Sequence, residues 1–182
     1  MDQYTLKREE TLLLVIDIQD RLARVMPDRE EVIRNNRILL QTARQLAFPL
    51  LVTEQYPKGL GPTVEELSEW IRPEELYTKM SFTACTEQVS EALGRLGRKK
   101  ILMSGMETHV CVFQTARDLL GAGYQVFLVR DAVTSRTRDN YLNGLDLIQS
   151  MGGVITNTET VVFDLLKVSG TPEFKALSAL IK

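Results

Sequence analysis

From Thr11 to Asp17 the chain reads TLLLVID, with no polar side chain inside the run. A strand with one wet face alternates apolar and polar residues. An uninterrupted run suits a strand covered on both faces, as in parallel sheets with helices packed above and below. The run is far too short to span a membrane, as is every other apolar stretch in the chain. Its last residues point to the ligand-binding edge, because open parallel sheets collect ligands at the carboxyl ends of their strands.

Short strand-like runs return at Leu50 to Thr53, Glu75 to Lys79, Ile101 to Ser104, Tyr124 to Val129 and Val154 to Thr156. Helical spacing fills the intervals. After Pro27 and Asp28 it recurs at Val32, Ile38, Leu39, Thr42, Ala43 and Leu46, and then over Val64 to Ile71, with Trp70 on the apolar side. Further helices are predicted at Thr86 to Leu96, Val110 to Leu120, and Arg138 to Met151, the last closed by Gly152 and Gly153. Two more follow at Glu159 to Lys167 and Glu173 to Ile181, the final one expected to pack on a neighbouring subunit. The segment EQYPKGLGPT, with two glycines and two prolines, is expected to lack regular structure, and DAVTSRT to be a polar loop. Alternating strands and helices predict right-handed βαβ units: an α/β, three-layer, Rossmann-like fold with a mostly parallel sheet flanked by helices. With 182 residues, 44% of them apolar, and no internal repeat or linker, residues 1–182 are expected to form a single domain.

The formal charge of −2 is spread along the chain, so neither nucleic acid nor an anionic membrane is an expected partner. MDQYTLKREE lacks the order of an export signal, which predicts a cytoplasmic protein with reduced thiols at Cys85 and Cys111. Cys85 reads as a core residue. No G-x-G-x-x-G follows the first strand and no G-x-x-x-x-G-K-[ST] occurs, so no dinucleotide, nucleoside triphosphate or other cofactor is expected.

Three chemically active side chains fall at strand ends: Asp17, Lys79 and Cys111. Cys111 stands where the run Ile101 to Ser104 hands over to a helix, whose unpaired N–H groups would favour a thiolate; the competing reading is a small buried hydrophobe. An acid closing an apolar strand is partly desolvated and poised for proton transfer, although Asp17 could instead cap the following turn. A thiolate nucleophile needs a group that takes its proton and later returns one to the leaving group. The one histidine, His109, lies two residues before Cys111 and cannot face it on a helix, so Asp17 takes that part. Lys79 between the two would steady both anions, and backbone N–H groups at the start of the cysteine helix would hold an oxyanion. The arrangement predicts acyl transfer.

LLLVIDIQD with Asp17 and Gln19, TKMSFTA with Lys79 and Phe82, GMETHVCVFQTARDLL with Cys111, and DAVTSR together resemble the isochorismatase-like cysteine hydrolase superfamily, over nearly the whole chain. That superfamily also includes nicotinamidases and N-carbamoylsarcosine amidohydrolase. The resemblance implies a catalytic Asp17, Lys79 and Cys111, a six-stranded parallel sheet, and dimers or larger homo-oligomers. It further implies a cis peptide bond between Met106 and Glu107, with the backbone N–H groups of Glu107 and Cys111 as the oxyanion hole. The loop TEQYPKGLG, where nicotinamidases hold a metal through an aspartate and two histidines, has no histidine. Glu54 alone would not retain zinc or iron, so no catalytic metal is expected and nicotinamide is disfavoured. This loop is most similar to the isochorismatase-domain-containing branch. The implied activity is cofactor-independent hydrolysis of a small amide or related C–N carbonyl compound through a cysteine thioester. The alternatives are vinyl ether hydrolysis of the isochorismate type, using Asp17 alone, and a non-catalytic binding protein on the same fold. Gln19 orients Asp17, lines the pocket or bonds a turn; Tyr56 and Phe82 line the pocket or pack beneath it; His109 and Arg136 read as structural.

Overall fold

The computed structural model describes residues 1–181; Lys182, the last position of the expected domain, lies outside them. The run Thr11–Ile16 is strand β1, buried along its whole length. After the one-turn helix α1 (Asp20–Ala23) comes the long helix α2 (Arg29–Gln45), and then β2 (Leu50–Gln55). The chain continues through α3 (Pro57–Leu60), α4 (Glu65–Ser68), β3 (Leu76–Lys79), α5 (Glu87–Leu96) and β4 (Lys100–Met106). A single π-helical turn, Thr108–Val112, leads into α6 (Phe113–Gly121) and β5 (Gln125–Thr134). The remaining elements are α7 (Arg138–Ser150), β6 (Val154–Thr156), α8 (Thr158–Leu166) and α9 (Pro172–Ser178).

The six strands form one sheet in the order β3-β2-β1-β4-β5-β6, and every paired neighbour is parallel, so the sheet is fully rather than mostly parallel. Because side chains alternate along a strand, β1 serves two cores at once. Leu13 and Val15 pack with Val32, Leu39 and Ala43 of α2 and with Val161, Val162 and Leu165 of α8. Leu12, Leu14 and Ile16 pack on the opposite face with Val89 and Leu93 of α5, Ala116 and Leu119 of α6, and Ile148 of α7. These are the three layers predicted by the alternation of elements.

The chain winds from β1 through β2 to β3 in one direction and from β4 through β5 to β6 in the other, so β1 and β4 flank the switch point. In such sheets the crevice for a ligand opens beyond the carboxyl ends of those two strands. Asp17 follows β1 directly, and Cys111 follows β4 after one short turn.

Two local expectations are corrected. Pro57–Leu60 is a helical turn inside EQYPKGLGPT, because Pro57 at its first position needs no hydrogen-bond partner and its fixed φ suits a helix. β5 runs on through Asp131–Thr134, taking in half of the expected polar loop. Its register slips where β4 advances from Met103 to Gly105 while β5 advances from Leu128 to Val133, and the Nδ2 groups of Asn35 and Asn36 on α2 hold the irregular stretch by donating to the carbonyls of Asp131 and Ala132. Within the chain, α9 packs on the α2–α8 core through the fully buried Leu177. Among the described residues, no helix is long and apolar enough to cross a membrane.

Candidate active site

β1 ends in a backbone turn that aims Asp17 inward. Asp17 adopts φ 53°, a left-handed conformation that aspartate tolerates better than most residues, and its N–H donates to the Thr53 carbonyl at 3.1 Å. The carboxylate, wholly shielded from solvent, accepts from Thr53 Oγ1 at 2.7 Å on one oxygen and from Lys79 Nζ at 2.6 Å on the other. Lys79 is the last residue of β3, and its ammonium reaches across the end of β2 to make that contact. It also donates to the carbonyls of Ser81 at 3.1 Å and Phe82 at 3.0 Å, so its bonds fix both the acid and the loop after β3.

Cys111 lies in the π-helical turn that follows the cis peptide bond between Met106 and Glu107. Gly144 of α7 packs against this turn so closely that a Cβ there would lie 2.8 Å from the Thr108 carbonyl carbon. From the other side Thr115 Oγ1 donates to the Cys111 carbonyl at 2.6 Å and accepts the Ala84 N–H at 2.8 Å. The Cys111 thiol donates to Gln55 Oε1 at 3.2 Å, and the Asp17 carboxyl is near enough for its charge to act on the sulfur.

Electrostatics at this cluster depart from the expected thiolate. Burial, reinforced by the Asp17 charge and opposed by Lys79, pushes the Cys111 thiol up to about 12. Desolvation and a neighbouring carboxylate outweigh the partial charge of the helix end, so the resting group is a thiol. Burial also raises Asp17 above the ordinary carboxylate range, with Lys79 and Thr53 pulling it back down. The resting sulfur is protonated and sits beside the Asp17 carboxyl.

A cavity of about 390 Å³ opens over the sulfur. Cys111, Gln55, Tyr56, Phe82, Glu107 and Arg136 line it, with Leu22, Val25 and Leu60 as apolar wall. Asp17 and Lys79 are buried beneath this floor rather than exposed on it. Tyr56 and Phe82 line this cavity. Gln19 does not: it is fully buried, its Oε1 accepting the Gln55 N–H at 2.8 Å and its Nε2 donating to the carbonyls of Gln55 and Gly61 at 3.0 and 2.7 Å. It ties the loop after β2 to β1, the turn-bonding reading of this residue.

The sequence alone does not place Gln55 or Arg136 at the cavity. Gln55 sits at the end of β2, the same sheet edge as Asp17, and that position was the available signal. Arg136, read as structural, lines the cavity and donates from its backbone N–H and Nε to Glu107 Oε2 at 3.0 and 3.1 Å. His109 faces away, its Nδ1 3.0 Å from Ser135 Oγ. Glu54 Oε1 accepts from both Thr63 N–H and Thr63 Oγ1, at 2.6 and 2.7 Å. Among the described residues, no three His, Cys, Asp or Glu side chains gather in a way that could hold a metal ion, so the residues do not fit the metal that nicotinamidases carry.

The isochorismatase domain family matches residues 11–160 of the chain. The secreted isochorismatase effector Isc1 of Phytophthora sojae is 38% identical over 177 residues, covering 94% of this chain and 84% of its own. The isochorismatase domain-containing protein 2 of Danio rerio is 36% identical, covering 97% and 89%. Among solved structures, the MAR1 ribonuclease from Caenorhabditis elegans superposes with a TM-score of 0.92 at 34% identity, over 97% of this chain and 92% of that one.

Proposed function

The chain belongs to the isochorismatase family of hydrolases, and we propose that within it the protein cleaves a small amide or related C–N carbonyl compound through a Cys111 thioester, without a cofactor. One observation carries this reading: the Cys111 sulfur lines the cavity within electrostatic reach of the Asp17 carboxyl, which Lys79 holds at 2.6 Å.

The chemistry follows from the two protonation states. Asp17 takes the thiol proton as Sγ forms its bond to the substrate carbonyl carbon. Burial and the Asp17 charge hold the proton on the thiol, so its transfer is coupled to bond formation rather than preceding it. Negative charge on the carbonyl oxygen is met by the backbone N–H groups of Glu107 and Cys111. Asp17, whose affinity for protons burial has raised, then returns the proton to the departing nitrogen as the C–N bond breaks. Water, deprotonated by Asp17, hydrolyses the thioester and restores the thiol. Lys79 acts as the positioning cation throughout.

The cavity volume and its largely apolar wall support a small substrate. Ribonuclease is the name of the nematode protein; the net charge of −2, spread along this chain, supports a small molecule over a polyanion here. Val25, Tyr56, Met80 and Phe82, large apolar side chains exposed at or next to the cavity mouth, support assembly into a homo-oligomer, which light scattering on the purified protein tests. Residues 1–182 act as one hydrolase domain in this reading.

The decisive experiment is a screen of small primary amides and carbamoyl compounds against the wild-type protein and Cys111→Ala. Turnover by the wild type and its loss in the variant are expected. Turnover that survives in Cys111→Ala overturns the thioester and leaves Asp17 acting alone, as in vinyl ether hydrolysis.

A further inference from the structure

We propose that Gln55 makes the site selective for carbonyl substrates whose leaving group carries an N–H, against esters of the same acyl group. The inference rests on the Cys111 thioester reading and deepens it.

Gln55 is half-buried at the cavity wall, and its backbone is clamped by Gln19 on both the N–H and the carbonyl. Its side-chain amide has one sensible orientation. Nε2 donates to the Met80 carbonyl at 3.4 Å and Oε1 faces the Cys111 sulfur at 3.2 Å; the flipped amide would oppose two oxygens and leave the thiol proton without this acceptor. The acceptor oxygen is thus fixed beside the nucleophile.

That acceptor has a donor only while the sulfur is protonated. Once Asp17 takes the proton, Oε1 faces an electron-rich sulfur and has lost its partner. The substrate carbon must sit at bonding distance from Sγ, so the atoms attached to that carbon lie next to Oε1. An amide N–H there replaces the lost donor, whereas an ester oxygen presents lone pairs to it. A site that hydrogen-bonds a substrate donor rejects the analogue lacking it, because its own polar group is then left unpaired. During amide cleavage the thiol proton passes to Asp17, the Sγ–C bond forms, the C–N bond breaks and the nitrogen leaves with the proton from Asp17. Gln55 gains and loses none.

The test needs no knowledge of the natural substrate. Cys111 is acylated with 4-nitroacetanilide or with 4-nitrophenyl acetate; in each case the Sγ–C bond forms at the carbonyl carbon, the C–N or C–O bond breaks, and the leaving group departs with the thiol proton passed through Asp17. Acylation is read by mass spectrometry at Cys111 and by release of the chromophore, and the amide-to-ester ratio cancels any change in thiol reactivity between variants. Gln55→Leu is expected to lower the wild-type ratio by about tenfold. Gln55→Glu, which keeps an acceptor oxygen, is expected to retain the wild-type ratio. Equal ratios in wild type and Gln55→Leu, with Cys111 reactive in both, overturn the inference alone. A Cys111 no more reactive than Cys85 overturns the nucleophile reading and this inference with it.

Discussion

Gly105 of β4 lies flat against the backbone of Ile16 in β1, so close that an added Cβ would fall 2.0 Å from the Ile16 carbonyl oxygen. The two residues are register partners at the switch point of the sheet, one position before Asp17. Gly105 also holds φ +129°, which a side chain strains whatever the space. Only glycine lets β4 approach β1 here, and that approach brings the cysteine turn towards the acid. Gly105→Ala is expected to destabilise the fold by on the order of 3 kcal/mol through overpacking, read as a lower urea midpoint. A loss under about 1 kcal/mol would mean that the strands part without consequence.

The buried Lys79–Asp17 pair makes a second, sharper case. Lys79→Met leaves a carboxylate in a dry site without its cation, which costs about 3–5 kcal/mol when a buried partner is removed. The folded-state affinity of Asp17 for protons already exceeds that of the unfolded chain, whose value is near 3.8, and losing Lys79 raises it further. For a raised acid, folding favours the protonated form. Its stabilising contribution is complete below about pH 4 and is lost as pH rises through the native value. The deficit of Lys79→Met should therefore be smaller in mild acid than at neutral pH. Asp17→Asn combined with Lys79→Met should recover part of the stability and none of the activity. Calorimetry across pH tests both, and a deficit independent of pH would contradict the pairing.

The thiol near 12 sets a third expectation. A thiol reacting by simple ionisation would be alkylated ten times faster for each pH unit gained, right through the neutral range. With Asp17 as its base, the rate should instead rise as Asp17 loses its proton, above the ordinary 3.8, and then level off once Asp17 is ionised. Asp17→Asn removes the base together with the charge that holds the thiol up. Its rate at neutral pH should fall below that of the wild type, and its profile should climb log-linearly with pH. A log-linear wild-type profile would remove Asp17 from the proton path.

Asp17, Lys79 and Cys111 were legible because the end of a strand is marked in the sequence itself, where an apolar run stops. Once the alternation of elements fixed a parallel sheet, those ends had to share one edge. Other features depended on distance in space rather than along the chain. Gln19 turns inward because the backbone of Gln55 offers it both a donor and an acceptor, a pairing across β1 and β2 that no spacing announces. Arg136 reaches the cavity by gripping the Glu107 carboxylate, 29 positions away along the chain. The charge state of Cys111 was misread for the same reason: helix-end geometry is local, but the burial that overrides it is assembled from both faces of the fold.

Thr115 carries the last prediction, because its one hydroxyl joins the two halves of the site. It donates to the carbonyl of Cys111 and accepts the N–H of Ala84, in the segment that continues from the loop bonded by the Lys79 ammonium. Thr115→Val keeps the shape and removes both bonds, leaving the Ala84 N–H without a partner in a fully buried residue, at a cost of about 1–3 kcal/mol. If the hydroxyl also sets the separation between the sulfur and the Asp17–Lys79 pair, the variant should lose kcat roughly tenfold or more with KM little changed, since misplacement of the reacting groups is felt in the chemical step. Thr115→Ser, which retains the hydroxyl, should restore kcat even where the missing methyl group costs some stability. A Thr115→Val protein that melts earlier yet turns over within twofold of wild type would reduce Thr115 to a structural bond.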